Sequence, residues 1–300
     1  MSTSKFRWVS DGRTYAIGLA LALVAGSAAA QTPAPAPAPA AVPFATPYKI
    51  IDNTYSVGTP TVSIYLIETS KGLILIDAGY AEDAPVVEKN IRALGFKLKD
   101  VKILLENHAH RDHVGGLAKL KADTGATLIT SVGDRYALEN GVFPGSESDL
   151  HTRFPPVKVD RVVKDGETIE LGGLTLTAHI TPGHTQGSTS WSWPAKDIDG
   201  TKHIVLDFCG ATVSRNSLVP EQYPGIVADY RRTFATAKSL PGDVFLAPHS
   251  EFYGPEAKRL KLGDPGPNPF IDRAGFEALI DHQHRLFETE LAKQQKAAAK

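Results

Sequence analysis

Four side chains that can bind a metal ion lie within six consecutive positions of this chain, at His108, His110, Asp112 and His113. Neutral imidazole is the commonest zinc ligand in proteins, and a carboxylate oxygen binds the same ion. The cluster follows an apolar run and is itself followed by glycines. Three of the ten histidines of the chain lie in it, a concentration that an ordinary protein surface does not explain. The pattern therefore predicts a metal site.

Two more histidines follow short apolar runs in the same way. His184 comes after the predicted strand Leu174–Ile180, and His249 comes at the end of the predicted strand Val244–Ala247. The cluster itself comes after the predicted strand Val101–Leu105. In layered proteins of strands and helices, ligand-binding groups gather on loops at strand ends. We therefore expect both histidines to lie beside the cluster, although either one alone would pass for an ordinary turn residue.

The spacing within the cluster divides it between two metal ions. Side chains two positions apart in an extended segment share a face, so His108 and His110 can bind one ion, while Asp112 and His113 come after a turn and can face another. Three protein ligands leave a position open for water, which is typical of catalytic zinc, whereas a non-catalytic zinc-binding module needs closed coordination. The simplest assignment is two Zn²⁺ ions per chain, the first at His108, His110 and His184, and the second at Asp112, His113 and His249.

Strands and helices alternate along the chain from Val42 onward, as the apolar patterns indicate. The tail Asp272–Lys293 has amphipathic helical spacing, and no second linker interrupts the pattern. This predicts a single mixed α/β domain over residues 47–300. The first predicted strands are Ile50–Val57, Thr61–Ile67 and Leu73–Ile76, and the first predicted helices are Ala84–Leu94 and Gly116–Thr124.

The N-terminal residues have the pattern of an export signal. Lys5, Arg7 and Arg13 give a positive start, Tyr15–Ala25 is apolar, and Ser27–Ala30 offers the small residues of a cleavage site. The apolar run is 11 residues long, too short for a hydrocarbon layer of about 30 Å. We expect residues 1–30 to be a cleaved signal peptide.

Residues 31–46 are rich in Pro and Ala and are predicted to form an extended linker. We expect a periplasmic protein of a Gram-negative bacterium, with no membrane anchor in its mature form. The net charge of −1, with no run of Lys or Arg, argues against nucleic-acid binding. Cys209 is the one cysteine, so no disulfide can form within the chain.

The histidine pattern resembles the metallo-β-lactamase superfamily. Its hallmark is His-x-His-x-Asp-His after a strand, followed at a distance by one histidine and then a last one; here His184 lies 74 residues after His110. The strand end Leu75–Gly79 and the segment Thr181–Ser188 fit the same family. The resemblance implies a four-layer αβ/βα sandwich in a single domain and covers essentially the whole mature chain.

Within the superfamily the chain is most similar to the third subclass of class B β-lactamases, in which two histidines and the Asp hold the second zinc. The matching stretches are Gly187–Trp191, Tyr223–Ile226, Asp229–Arg232 and Gly266–Phe270. The resemblance implies hydrolysis of penicillins, cephalosporins and carbapenems by a metal-bound hydroxide, and hence antibiotic resistance. Asp112 is then both a ligand and a catalytic residue. A small β-lactam is the expected partner, and a monomer suffices.

The segment that follows the predicted strand His203–Leu206 contains three residues with more than one possible role: Asp207, Cys209 and Thr212. Other subclasses place a Cys ligand near Cys209, but the second site is already filled, so a buried thiol beside the site is favoured. Thr212 is the hydroxyl available to bind a substrate carboxylate. Asp207 is the candidate for the bridging Asp of glyoxalase-II-like thioesterases and lactonases, although its register does not match. Such a hydrolase is the alternative function.

Other parts of the chain are predicted to support the site. Asp77 lies beneath the metal-bearing loops and is expected to order them through hydrogen bonds. The loop Gly141–Pro156 is expected to form one wall of the substrate cleft. The remaining histidines lack metal-ligand spacing and are predicted to be structural or exposed: His151, His179, His203, His282 and His284.

Overall fold

Two β-sheets form the centre of the structure, a computed structural model that describes residues 46–300. The predicted signal peptide and nearly all of the predicted linker lie outside the described residues. In the first sheet the seven strands lie in chain order, antiparallel as far as β4 and parallel from β4 to β7. Its strands are β1 (Tyr48–Ile51), β2 (Thr54–Ser56), β3 (Tyr65–Thr69), β4 (Gly72–Ile76), β5 (Val101–Leu105), β6 (Thr127–Ser131) and β7 (Arg161–Val163).

The second sheet has five strands in the order β12-β11-β10-β9-β8. Neighbours in it are antiparallel except β11 and β12, which are parallel. Its strands are β8 (Thr168–Leu171), β9 (Leu174–Ile180), β10 (Thr189–Lys196), β11 (Lys202–Asp207) and β12 (Val244–Leu246).

Helices cover the outer face of each sheet. Val87 and Ile91 of the first helix pack against the first sheet, and Tyr230 and Phe287 of two later helices pack in the core of the second. The helices are α1 (Ala84–Ala93), α2 (Arg111–Val114), α3 (Leu117–Thr124), α4 (Arg135–Asn140), α5 (Ile226–Ala237), α6 (Pro255–Arg259) and α7 (Arg273–Ala298). The predicted mixed α/β sandwich with four layers is confirmed. None of the described helices is both long enough and apolar enough to cross a membrane.

Strand β4 shows why a fully apolar run marks the centre of this fold. Leu73 and Leu75 pack beneath the outer helices, while Ile74 and Ile76 point into the core between the sheets. Because both faces of the strand are covered, alternation with polar residues is absent. Strand β5 is buried in the same way except at Lys102, which is exposed; it was predicted with its observed bounds and leads directly into the histidine cluster.

Two predicted strands have different bounds in the structure. Ile50–Val57 is not one strand but the hairpin β1–β2, because Asp52 takes a left-handed conformation with φ of 46° and turns the chain. The strand predicted over Thr61–Ile67 begins only at Tyr65. Helices α4 and α6 were not predicted, since five or six residues are too few for helical periodicity to show.

Candidate metal centre

The histidine cluster changes from extended to helical backbone between its second and third members. His110 is extended, with φ −103° and ψ 152°, and α2 begins at Arg111. The turn places Asp112 and His113 on α2, with the ring centroid of His113 only 4.0 Å from that of His108, so that His108, Asp112 and His113 also form a candidate metal group. After α2 the chain packs closely on the end of β4, where a Cβ on Gly116 would overlap the carbonyl oxygen of Ala78. The glycine after the cluster therefore lets two loops meet beneath the site.

His108, His110 and His184 come together as the first predicted group, which we call the first trio. One ring nitrogen from each lies within 4.8 Å of the others, and the ring centroids are 4.5–4.8 Å apart. Nε2 of His108 and Nε2 of His110 are buried and have no hydrogen-bond partner among the described residues. Unpaired buried nitrogens are costly, and a metal ion satisfies them.

The pKa values of the first trio favour the form that binds metal. Burial, followed by the neighbouring imidazoles, lowers the pKa of His108 and of His110 well below the usual range. Burial also lowers the pKa of His184 to about 4. All three side chains are therefore neutral imidazoles at neutral pH, with a lone pair free for a metal ion.

Asp112, His113 and His249 come together as the second predicted group, the second trio. Nε2 of His113 lies 3.0 Å from Nε2 of His249 and 3.4 Å from Oδ2 of Asp112. The remaining edge, from His249 Nε2 to Asp112 Oδ2, is 3.6 Å. Ligands about 2.0–2.1 Å from a tetrahedral zinc lie about 3.3 Å from one another. The donor atoms of this trio thus match the edges of a zinc coordination shell.

The second trio is built to hold positive charge. Burial opposes a charge on His113, yet the carboxylates of Asp77 and Asp112 outweigh burial and raise the pKa of His113 to about 10. Asp77 bonds His113 Nδ1 at 2.8 Å and accepts a hydrogen bond from the Asn107 amide at 2.8 Å. This is the support predicted for Asp77. It leaves Nε2 of His113 facing the other two donors.

His184 is held from behind by Thr212. Nδ1 of His184 lies 2.7 Å from the Thr212 carbonyl oxygen and 2.9 Å from its hydroxyl oxygen. The carbonyl also accepts a hydrogen bond from the Tyr230 hydroxyl. Thr212 lines the cleft, but its hydroxyl is engaged with His184; its role as a substrate anchor stays a prediction.

Cys209 lies behind the first trio. Its side chain is buried, and Sγ is 3.3 Å from Nδ1 of His108. Burial raises the pKa of the thiol well above its usual value, so the thiol is protonated when no metal ion is bound. Among the described residues Cys209 is absent from both groups able to hold a metal ion. The thiol supports the ring of His108 on the side away from Nε2.

Asp207 points into the core rather than toward the trios. It is fully buried, and Oδ2 accepts a hydrogen bond from Nδ2 of Asn107 at 3.1 Å. Burial raises the pKa of Asp207 well above its usual value. Among the described residues, Asp112 is the one carboxylate in the candidate metal groups. Asp207 is thus absent from both candidate metal groups of the described residues, and the mismatch of its register with a bridging Asp stays a prediction.

A cleft of about 850 Å³ opens above both trios. The loop Gly141–Pro156 forms one wall, as predicted, and the ring of Phe143 meets His110 edge-on at 4.4 Å. The segment Thr212–Asn216 forms another wall. Gln222 joins the two, since its Nε2 donates to the Pro144 carbonyl at 3.0 Å and lies 2.9 Å from the Ser146 hydroxyl.

The two arginines in the cleft differ in their partners. Arg111 donates to the carbonyl of His151 at 2.6 Å and lies 5.1 Å above the ring of Tyr80. Arg215 is exposed and makes no hydrogen bond or ion pair with any described residue. It follows Ser214, which has a left-handed φ of 50°. Arg215 is therefore the uncommitted side-chain cation of the cleft.

Sequence reasoning missed Arg215 and also Gln283, which reaches the cleft from α7. Of the histidines outside the trios, His151 lines the cleft, and none of them belongs to a candidate metal group in the described part of the chain. A polar residue in an amphipathic helix gives no signal of what it faces. The wall residues became identifiable only once α7 was placed against the end of β11.

Comparison with known proteins identifies relatives of this arrangement. The family model described as Metallo-beta-lactamase superfamily matches residues 57–199. The crystal structure of BJP-1, a subclass B3 metallo-beta-lactamase of Bradyrhizobium japonicum, is 45% identical with a TM-score of 0.83, over 86% of this chain and 97% of that one. Native FEZ-1 metallo-beta-lactamase from Legionella gormanii is 36% identical with a TM-score of 0.79, over 84% and 97%.

Curated relatives carry a different name. A hydroxyacylglutathione hydrolase of Methylococcus capsulatus is 34% identical over 182 residues, which are 61% of this chain and 59% of that protein. One of Pseudomonas aeruginosa is 28% identical over 60% of this chain and 58% of that protein. The chain therefore spans less than two thirds of the length of these relatives. The two sets of relatives together support a hydrolase of the metallo-beta-lactamase fold.

Proposed function

The chain belongs to the metallo-beta-lactamase superfamily, and from that premise we propose that it is a zinc-dependent β-lactamase that hydrolyses the β-lactam amide of penicillins, cephalosporins and carbapenems. The observation that carries the proposal is the make-up of the second trio. It holds one carboxylate, from Asp112, and two imidazoles, whereas Asp207 is buried against Asn107. The similarity to BJP-1 over almost its whole length supports the same reading.

The second candidate is a thioesterase of the hydroxyacylglutathione hydrolase kind, favoured by the names of the curated relatives. As the sequence analysis set out, that chemistry calls for a second carboxylate between the metals. Asp207 would have to leave the core and break its bond to Asn107 to provide it. We therefore rank it, and a lactonase with the same requirement, second. A non-catalytic zinc module ranks last, because each trio leaves coordination positions free.

We propose two zinc ions, one per trio. The unpaired Nε2 atoms of His108 and His110 fit the first, and the edges of 3.0–3.6 Å fit the second. When bound, zinc acts as a Lewis acid and lowers the pKa of a coordinated water from about 15.7 towards 7. The residues around it do the remaining work.

The protein contributes orientation and shielding. The Asp112 carboxylate belongs to the second trio but is 22% exposed, so it also reaches the cleft and can accept a hydrogen bond from the attacking water. Thr212 and Asp77 hold the rings of His184 and His113, which fixes the direction of each Nε2. Phe143 covers His110 and keeps bulk water from that ring.

Export remains part of the proposal. We propose that residues 1–30 direct the chain to the periplasm, where hydrolysis of β-lactams would confer antibiotic resistance, and that the mature protein acts as a monomer on small molecules without a nucleic-acid partner. The motivation is the sequence pattern at Lys5–Ala30. N-terminal sequencing of the protein from a periplasmic extract tests it, since a mature chain that keeps Met1 would contradict export by this signal.

One set of assays separates the candidate functions. The zinc-loaded protein is incubated with a chromogenic cephalosporin, a carbapenem and S-lactoylglutathione, each with and without a chelator. We expect turnover of the β-lactams that the chelator abolishes. Turnover of the thioester alone would overturn the β-lactamase proposal, and no turnover of any substrate would favour the non-catalytic module.

A further inference from the structure

Gln283 of α7 is a buried polar side chain without a partner. It is 8% exposed, borders the cleft, and makes no hydrogen bond with any described residue. Its amide atoms are not among the fully buried polar atoms that lack a partner, so they face the open space of the cleft. A structural role for this amide therefore has no visible basis, whereas a contact with a ligand in the cleft supplies the missing partner.

Gln294 of the same helix, in contrast, has a structural role, because its side chain is hydrogen bonded to other parts of the protein. Its side-chain carbonyl accepts hydrogen bonds from the amides of Leu218 and Val219, at 2.7 and 3.0 Å. Its Nε2 donates to the Asn216 carbonyl and to Glu290. Gln294 thus ties α7 to the segment that carries Arg215, and Gln283 has no comparable contact.

The surroundings of Gln283 are mostly apolar. A small cavity beside the cleft is lined by Gln283, by Cys209 and Thr212, and by the apolar residues Phe208, Ala211, Pro248, Phe252 and Leu279. The polar neighbour Thr212 already bonds His184 and Tyr230 through its carbonyl. A hydrogen bond from Gln283 to that carbonyl would compete with the support of a metal ligand.

We propose that Gln283 is a substrate-binding residue whose Nε2–H donates a hydrogen bond to the carboxylate of the substrate. The cleft is lined by the carboxylates of Glu82, Asp112 and Glu251 as well as by Arg215, its uncommitted cation; the carboxylate of the substrate therefore follows from the proposed function, and Arg215 is the charge that would attract it. An exposed guanidinium in water attracts an anion over a distance but gives little direction. A buried amide gives direction, because hydrogen bonds to a charged group are strong where water is excluded.

This inference rests on the proposed function only for the identity of the carboxylate. The β-lactams named above carry one beside the ring that opens, and S-lactoylglutathione carries carboxylates as well. The assignment of a donor on α7 therefore applies to whichever of these substrates the enzyme hydrolyses.

The test compares benzylpenicillin with its methyl ester, in which the carboxylate charge is removed. In zinc-loaded Gln283→Leu we expect the KM for benzylpenicillin to rise about tenfold with kcat nearly unchanged, since a bond to the substrate is lost in ground and transition states alike. The KM for the ester should stay within twofold of the unmutated enzyme. Gln283→Glu should raise the KM for the acid further, because two like charges then face each other.

The unfolding temperature distinguishes a substrate-binding role of Gln283 from a structural role, because the loss of a structural contact would lower it. Removing an unpaired amide should leave Gln283→Leu as stable as the unmutated protein or more so. Gln295→Leu is the matched control, because Gln295 lies exposed on the same helix; it should change neither KM nor unfolding temperature. A lower unfolding temperature in Gln283→Leu, or an equal KM change for acid and ester, would overturn the inference.

Failure of the proposed function gives a result that can be distinguished from failure of the inference about Gln283. If the unmutated enzyme leaves benzylpenicillin intact but cleaves S-lactoylglutathione, the β-lactamase proposal fails, and Gln283→Leu is then measured with the thioester. A KM increase of about tenfold there supports the inference without the lactamase. A KM for the thioester that does not depend on Gln283 overturns it.

Discussion

Oδ2 of Asp77 lies 2.8 Å from Nδ1 of His113, and neither side chain is exposed. This contact connects the end of β4 with α2. The buried carboxylate of Asp77 therefore fixes the direction in which Nε2 of His113 points. Because Asp77 also accepts from the Asn107 amide, it controls both ends of the turn that carries the cluster.

Replacement of this carboxylate should weaken the second trio before the first. For Asp77→Asn we expect zinc affinity at the second trio to fall about 10- to 100-fold, the usual effect of removing a group that orients a ligand. Titration of the metal-free protein with zinc against a chromophoric chelator measures both sites. Asp199→Asn, in the exposed turn between β10 and β11, is the control. Equal loss at both sites would contradict the assignment of Asp77 to His113.

Cys209→Ala should separate a supporting thiol from a metal ligand. We expect zinc content per chain to be unchanged, and the free energy of unfolding to fall by about 1 kcal/mol from the cavity left behind. Metal analysis after dialysis and urea unfolding give the two values. Loss of one equivalent of zinc would show that Cys209 binds metal, contrary to its 3.3 Å contact with His108 Nδ1.

Arg111→Ala should loosen one wall of the cleft. The guanidinium joins α2 to the His151 carbonyl and to the ring of Tyr80, and losing contacts worth about 1 kcal/mol should raise KM about fivefold with a small effect on kcat. Amide hydrogen exchange of residues 149–152 should become faster. Arg135→Ala, whose side chain pairs with Glu139 on the surface, is the control. Unchanged exchange in the loop would refute the role of Arg111.

His203 should make stability depend on pH. The hydrogen bond that His203 donates to Asp243, followed by the one that it donates to Asp197, raises the pKa of His203 in the folded protein. A raised pKa stabilises the fold fully below the unfolded value near 6.5 and loses that contribution as pH rises through the folded value. We expect the free energy of unfolding to decline over that interval, and His203→Gln to abolish this part of the decline. Urea unfolding between pH 5.5 and 9 measures it; an unaltered slope in the variant would contradict the prediction.

The sequence predicted the parts of the site whose residues are close together or follow buried strands. Strand β5 and the cluster after it could be identified because the strand is apolar at every position except the exposed Lys102. The pairing of His184 with His108 was accessible only through the repeated strand–histidine pattern and the family resemblance. The hairpin at Asp52 was hidden because one residue in a left-handed conformation turns the chain without any glycine to mark it.

The walls of the cleft were much harder to predict. Arg215 and Gln283 come from a loop and a helix that are 68 residues apart in sequence, and no local pattern couples them. Their significance depends on what they fail to contact, which is a property of the folded chain. Gln294 and Gln283 lie on one helix and are chemically identical, yet one is engaged and the other is not.

The side chain of Gln222 joins the loop at Pro144 and Ser146 to the opposite wall of the cleft, and a Cβ on Gly145 would collide with the Gln222 backbone. The two walls are therefore connected to each other above the metal ligands. An insertion or deletion in either loop is expected to displace the other, so the two loops together set the width of the cleft. A change of loop length can therefore alter the width of the cleft while every residue of the two trios stays the same.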